Sequence, residues 1–152
     1  MARGAVQISI KNKKAGFEYY LTEQFTAGLV LTGTEIKSIR DSKVNITDSY
    51  CAFRGTELYV INLHISEYKF GNQFNHEPKR ERKLLLTSRE LRKLIVKTKD
   101  KGITIIPVEL FLNEKGFAKL TIAIAKGKKS FDKRETLKEK DNRREMDRQM
   151  DY

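Results

Sequence analysis

A mainly β fold, an antiparallel barrel or sandwich, is what the amino-acid sequence predicts. Three observations predict it: apolar residues recur at period two through much of residues 6–125, the runs are short, and turn signals separate them. A length of 152 residues suits one folding unit with an appendage better than two cores. A hydrophobic fraction of 39%, with six Tyr and eight Phe, suffices for one packed core beneath a heavily ionised surface.

Val6, Ile8 and Ile10 alternate with other residues, as do Phe17, Tyr19 and Leu21, then Leu29 and Leu31, and each set reads as half-buried strand. Between them, Thr22 to Ala27 is read as a short helix stopped by Gly28. Ser49 to Phe53 and Leu58 to Ile65 are strand-like runs on either side of an Arg54-Gly55 turn signal. The clearest helix begins at Thr87, which stands in capping-box register with Glu90 ahead of an apolar stripe of Leu91, Leu94 and Ile95. Gly102 then ends it or follows its end. Ile103 to Leu112 and Phe117 to Ala125 complete the strands around an Asn113-Glu-Lys-Gly116 turn. Pro107 inside the first of these runs predicts an edge strand or a bulge, since proline cannot donate to a ladder.

Composition changes at Lys126. Residues 126–152 hold ten Lys or Arg and seven Asp or Glu, with few large apolar side chains to dock them. The sequence therefore predicts a folded domain over 1–125 and a charged tail over 126–152, disordered alone and ordered by an outside surface. Residues 1–125 retain 21 basic and 13 acidic side chains, a balance of +8 out of the total of +11. Most of the excess charge thus belongs to the folded domain, which favours an anionic partner, with nucleic acid foremost.

Other classes fit poorly. The single cysteine, Cys51, lies in an apolar run and suits a small buried residue in a reducing compartment. No signal-type apolar core opens the chain and no run approaches the length of a membrane span, so a soluble cytoplasmic protein is expected. Glu35, Ser38, Asp41, Cys51, His64 and His76 form no catalytic spacing, and phosphate-loop, paired-His, nucleophile-elbow and dinucleotide patterns are missing from the sequence. No enzyme activity, metal or cofactor is expected. Instead, Lys11–Lys14, Glu35–Arg40, Pro78–Lys83 and Lys126–Arg134 mix cations with apolar or aromatic residues. That mixture suits RNA, whose phosphates take cations and whose unstacked bases take flat or apolar surfaces. Ile36 and Ile39 are read as core within it, and Phe131 as exposed.

Taken in order, Asn12-Lys-Lys-Ala15, Ala27-Gly-Leu-Val-Leu-Thr-Gly-Thr-Glu-Ile-Lys-Ser-Ile-Arg40, Asp48-Ser-Tyr50, His64-Ile65, Asn75-His-Glu-Pro78, Arg82-Lys-Leu-Leu-Leu86, Ala125-Lys-Gly-Lys-Lys129 and Asp132-Lys-Arg134 resemble the small protein B family, the SsrA-binding proteins. The resemblance spans almost the whole chain. It implies an oligonucleotide-binding-type closed antiparallel barrel of about six strands with about three short helices. It implies binding of the tRNA-like domain of transfer-messenger RNA and its delivery, with elongation factor Tu, to stalled bacterial ribosomes. The tail would occupy the small-subunit decoding centre and the mRNA channel, becoming helical there. A general RNA-binding or ribosome-associated barrel without one dedicated RNA is the alternative.

Carried onto this sequence, the resemblance implies RNA contacts at Asn12, Lys13, Lys14, Gly28, Lys37, Arg40, Lys83, Leu85, Lys119 and Lys126. Lysines and Arg40 would meet phosphate oxygens, while Leu85 is either an apolar platform for loop bases or plain core. Gly28, Lys37 and Arg40 are expected in a glycine-rich strand region. The decoding-centre set is Gly127, Lys128, Lys129, Phe131, Asp132, Lys133 and Arg134. Two positions depart from the family pattern: Phe131 stands where a His or Tyr ring is common, and Thr26 where relatives usually carry Glu. Thr26 is not assigned to the site.

Overall fold

The computed structural model describes residues 8–71, 73, 75–129, 134 and 137. In chain order its elements are β1 (Ser9–Lys11), α1 (Ala15–Glu18), β2 (Tyr19–Leu29), α2 (Gly33–Arg40), β3 (Val44–Asn45), β4 (Tyr50–Arg54), β5 (Glu57–Ile61), β6 (His64–Ile65), β7 (Arg82–Leu85), α3 (Ser88–Thr98), β8 (Ile103–Leu112) and β9 (Ala118–Gly127). Among the described residues 8–129 the fold is mainly β with three α-helices, in keeping with the mainly β class expected.

Local chemistry sets the two hairpins. At the β8–β9 turn the Asn113 side-chain oxygen accepts from the backbone N–H groups of Lys115 and Phe117, and Gly116 takes the left-handed φ of +83° that the reversal requires. Gly55 at φ +67° closes β4 onto β5 in the same way. Pro107 coincides with a break in register between β8 and β9, as a residue without an N–H should. The carbonyl of Val108, freed at this bulge, accepts from the Asn12 N–H at 2.8 Å. Thr87 and Glu90 form the expected reciprocal cap of α3.

Pairing is antiparallel throughout. β8 pairs with β4, β4 with β5, β5 with β7, β7 with β2 and β2 with β9, and β9 returns to β8, while β1 lies on β8. Six strands are therefore linked in a cycle, with β3 and β6 as a separate two-stranded ladder. The inward side chains form one core that includes Ala27, Leu58, Leu84, Leu110, Leu120 and Ile122, closed by Ile39 from α2 and Leu94 from α3. Ile36 packs against the same core, as its position beside Ile39 predicted. No helix among the described residues is long and apolar enough to cross a membrane.

Three local expectations are corrected. The stretch from Thr22 to Ala27 is strand, not helix, and Gly28 lies within β2. Pairing with β9 along its length, and with β7 at its end, outweighs the weak helical signal. Phe17 lies in the single turn of α1 and not in a strand. Lys37 and Arg40 lie on α2 and not in strand; here the Thr32–Glu35 capping box was the sequence signal that marks the helix start.

Candidate nucleic-acid interface

Strand register assembles the first part of the site. Leu85 of β7 stands opposite Gly28 of β2, Gly28 opposite Lys119 of β9, Lys119 opposite Phe111 of β8, and Phe111 opposite Ser9 of β1. Cross-strand partners share a sheet face, so these residues form one row over five strands, on the face opposite buried Leu84, Ala27 and Leu120. A Cβ on Gly28 would lie 3.4 Å from the Leu85 Cβ and 3.7 Å from the Lys119 Nζ. These are ordinary van der Waals distances, so a small side chain would fit between Leu85 and Lys119, and glycine leaves bare backbone exposed between them. Leu85 is 52% exposed, so it is not part of the core.

The next row, two residues along β2, runs through Thr26, Thr121, Glu109 and Lys11. It places a carboxylate, Glu109, on the same side as Gly28, two strands away from Thr26. Lys83 stands beside the first row, where its ammonium lies 3.1 Å from Glu57 and holds that carboxyl below the usual range. A phosphate that captures Lys83 must therefore compete with an exposed carboxylate.

The second part is a buried ionic joint. The Glu35 carboxylate accepts from Arg80 Nη2 at 2.7 Å, from the Thr32 N–H at 2.8 Å and from Arg82 Nε. Arg82, 0% exposed, also donates to the carbonyls of Leu63, Pro78 and Glu77. Burial pushes the Glu35 carboxyl up, but Arg80, Thr32 and Arg82 together outweigh it and hold the group below the ordinary carboxylate range. Burial in turn lowers the Arg82 guanidinium against the pull of Glu35. Arg82 thus leaves the basic Pro78–Lys83 cluster and becomes a tie between α2, which carries Lys37 and Arg40, and β7, which carries Lys83 and Leu85.

With this geometry in place the relatives are informative. The SmpB protein family profile matches residues 9–152. The SsrA-binding protein of Flavobacterium psychrophilum is 62% identical over 93% of this chain and 94% of its own length. That of Phocaeicola vulgatus is 61% identical with the same coverage. The chain belongs to the SmpB family. A solved structure described as "tmRNA-SmpB: a journey to the center of the bacterial ribosome" contains a chain 42% identical to this one, with a TM-score of 0.69, covering 81% of this chain and 86% of that one.

In this SmpB-family chain the remaining RNA candidates fall on two further surfaces. Lys13 and Lys14 are exposed in the turn between β1 and α1. Asn12, by contrast, is buried: its Nδ2 donates to the Pro107 carbonyl at 2.9 Å and its Oδ1 accepts from the Lys14 N–H at 3.2 Å. Its side chain shapes the lysine turn from beneath. Lys37 and Arg40 are exposed on α2, with the Lys37 ammonium 5.5 Å from the centre of the Tyr68 ring.

The compositional break at Lys126 falls inside β9, which pairs with β2 as far as Gly127 opposite Tyr19. Lys128 then docks by donating its N–H to the Glu18 carbonyl at 2.8 Å and its Nζ to the Gly16 carbonyl at 3.0 Å, with the ammonium over the Tyr20 ring. Gly127 and Lys128 of the decoding-centre set therefore adjoin α1, and Lys126 and Lys129 are exposed beside them. Arg134 is helical and exposed, whereas Phe131, Asp132 and Lys133 lie outside the described residues.

Residues weighed for catalysis have structural positions. His76 Nε2 donates to the Ile65 carbonyl at 2.8 Å and its Nδ1 lies 2.9 Å from Thr34 Oγ1, so the ring bridges β6 and α2. His64 is half-buried beside Asn45, Asp48, Asn62 and Lys79. Burial pushes the Cys51 thiol up, away from thiolate chemistry. The joint of Glu35, Arg80 and Arg82 is what sequence reasoning missed, because two cations and an acid 45 or more residues apart carry no spacing signal.

Proposed function

We propose that this chain binds the tRNA-like domain of transfer-messenger RNA and delivers it, with elongation factor Tu, to stalled ribosomes in the bacterial cytoplasm. The observation that carries the reading is identity above 60% to SsrA-binding proteins along 93% of the chain. The cycle of paired strands then serves as an oligonucleotide-binding-type barrel, with residues 1–125 as its RNA-binding domain. Lys13, Lys14, Lys37, Arg40, Lys83, Lys119 and Lys126 meet phosphate oxygens, and Leu85 beside Gly28 receives loop bases displaced from their stack. Asn12 acts by shaping the Lys13–Lys14 turn. The tail reaches from the Lys128 dock into the decoding centre and the mRNA channel, where Gly127, Lys128, Lys129, Phe131, Asp132, Lys133 and Arg134 make its contacts and its residues beyond Lys129 take helical form.

Competition binding at physiological salt tests the RNA assignment. The chain should keep its preference for the tRNA-like domain against excess unrelated RNA, and ready displacement by that RNA would refute a dedicated partner. A chain ending at Lys129 keeps β9 and the Lys128 dock intact, so it should bind the RNA with full affinity yet fail to rescue stalled ribosomes. Full rescue by that truncation would remove the tail mechanism.

A further inference from the structure

Beyond the rows on the sheet, the loop between β6 and β7 carries an aromatic pair held in the open. Phe70 is 68% exposed, and its ring meets that of Tyr68 edge to face at 5.5 Å between centres. The ammonium of Lys69 lies 4.9 Å from the centre of the Phe70 ring, and that of Lys37 5.5 Å from the centre of the Tyr68 ring. A large ring this accessible gives up hydrophobic burial, so the fold must hold it there.

The loop is built to do so. The Tyr68 N–H donates to Asn75 Oδ1 at 2.9 Å and Asn75 Nδ2 donates back to the Tyr68 carbonyl at 2.6 Å, while the Gly71 N–H closes a turn on that carbonyl. A Cβ on Gly71 would lie 2.7 Å from Asn75 Nδ2, so a side chain there would break the clamp. His76, next in sequence, is itself anchored to Thr34 and Ile65.

Against this loop, the C-terminal half of α2 leaves a cleft of about 330 Å³, lined by Ser38, Asp41, Lys43, Ser66, Tyr68 and Lys69. Ser38 is 1% exposed and its hydroxyl has no hydrogen-bond partner. A buried hydroxyl left unpaired is costly, and in the cleft wall it is a polar group that rotation of the Ser38 side chain would offer to a bound molecule. The carboxylates of Asp41 and Glu67 line the same cleft as Lys43 and Lys69. A pure phosphate site would exclude acids, whereas a carboxylate suits the amino edge of a base.

We propose that the cleft between α2 and the Tyr68–Gly71 turn takes one unstacked nucleotide of a bound RNA. The base stacks on the Phe70 ring, which meets Tyr68 of the cleft wall; Asp41 and Ser38 line the side its polar edge faces, and Lys43 and Lys69 of the lining, with Lys37 beside Tyr68, meet the flanking phosphates. The inference rests on the chain being an RNA binder, and it adds a contact made by elements other than the Leu85–Gly28–Lys119 row.

The test uses the full chain and a short single-stranded RNA carrying one central 2-aminopurine, whose fluorescence falls on stacking. Wild-type protein should quench the probe. Phe70→Ala should abolish the quench and weaken binding about tenfold, while Phe70→Tyr retains both. The dependence of log affinity on log salt should keep its slope in Phe70→Ala, because no charge is removed. A quench that persists in Phe70→Ala, or none with the wild-type chain, overturns the proposal. Binding of the tRNA-like domain, measured in parallel with Leu85→Ala and Lys119→Ala, reports on the first row independently of the cleft.

Discussion

Replacing Glu35 with Gln keeps the shape of the buried joint but removes its charge, and the consequence follows from where the two arginines lie. Arg82 and Glu35 side chains are both 0% exposed, whereas Arg80 is 37% exposed. In Glu35→Gln the single amide oxygen cannot serve both the Thr32 and Arg80 side and the Arg82 side, so the Arg82 guanidinium stays buried without an anion, beside the carbonyl oxygens of Leu63 at 2.6 Å, Pro78 at 3.1 Å and Glu77 at 3.4 Å. Breaking a buried pair from one side costs about 3–5 kcal/mol, and the three carbonyls place this case near the lower end. A loss of about 3 kcal/mol is a large share of a domain stability of about 5–15 kcal/mol. Urea unfolding followed by circular dichroism measures it, and Arg80→Ala, which removes a partly solvated partner, should cost far less. The carboxyl of Glu35 is held below its ordinary range in the folded state, so its stabilisation is present above the unfolded carboxylate pKa of about 4.3 and is lost as pH falls through the folded value. The gap between wild type and Glu35→Gln should therefore be full at neutral pH and narrow in acid. A neutral-pH difference below about 1 kcal/mol, or a gap that does not change with pH, would refute the argument that charge pairing holds the joint.

Two other substitutions separate surface from core. Lys119→Ala should leave stability unchanged, weaken binding to RNA of any sequence, and reduce the slope of log affinity against log salt by about 1, read from titrations at several salt concentrations. Leu94→Ala, which empties the buried contact of α3 with the core, should destabilise the fold by about 2–5 kcal/mol in urea unfolding.

What could be read in advance was whatever neighbours in sequence decide. The α3 cap at Thr87 and Glu90, the turns at Gly55 and Gly116, and the register break at Pro107 each follow from one or a few adjacent residues. The α2 cap was equally local, but buried Glu35 interrupts the apolar stripe, so the segment reads as a charged cluster. The Thr22–Ala27 stretch misleads for the opposite reason, since strand pairing on either side, not its own propensity, sets its conformation.

Periodicity, composition and motif order alone determined the β-rich class, the cationic balance of the domain and the family, and they offered the candidate RNA residues. Tertiary structure decided which of those residues share a surface. It put Leu85, Gly28 and Lys119 in one row, turned Asn12 inward, and withdrew Arg82 from the basic cluster to neutralise Glu35. The physical reason is that charge and hydrophobicity are sums over the chain, whereas burial and pairing depend on strand register and on contacts between residues far apart in sequence.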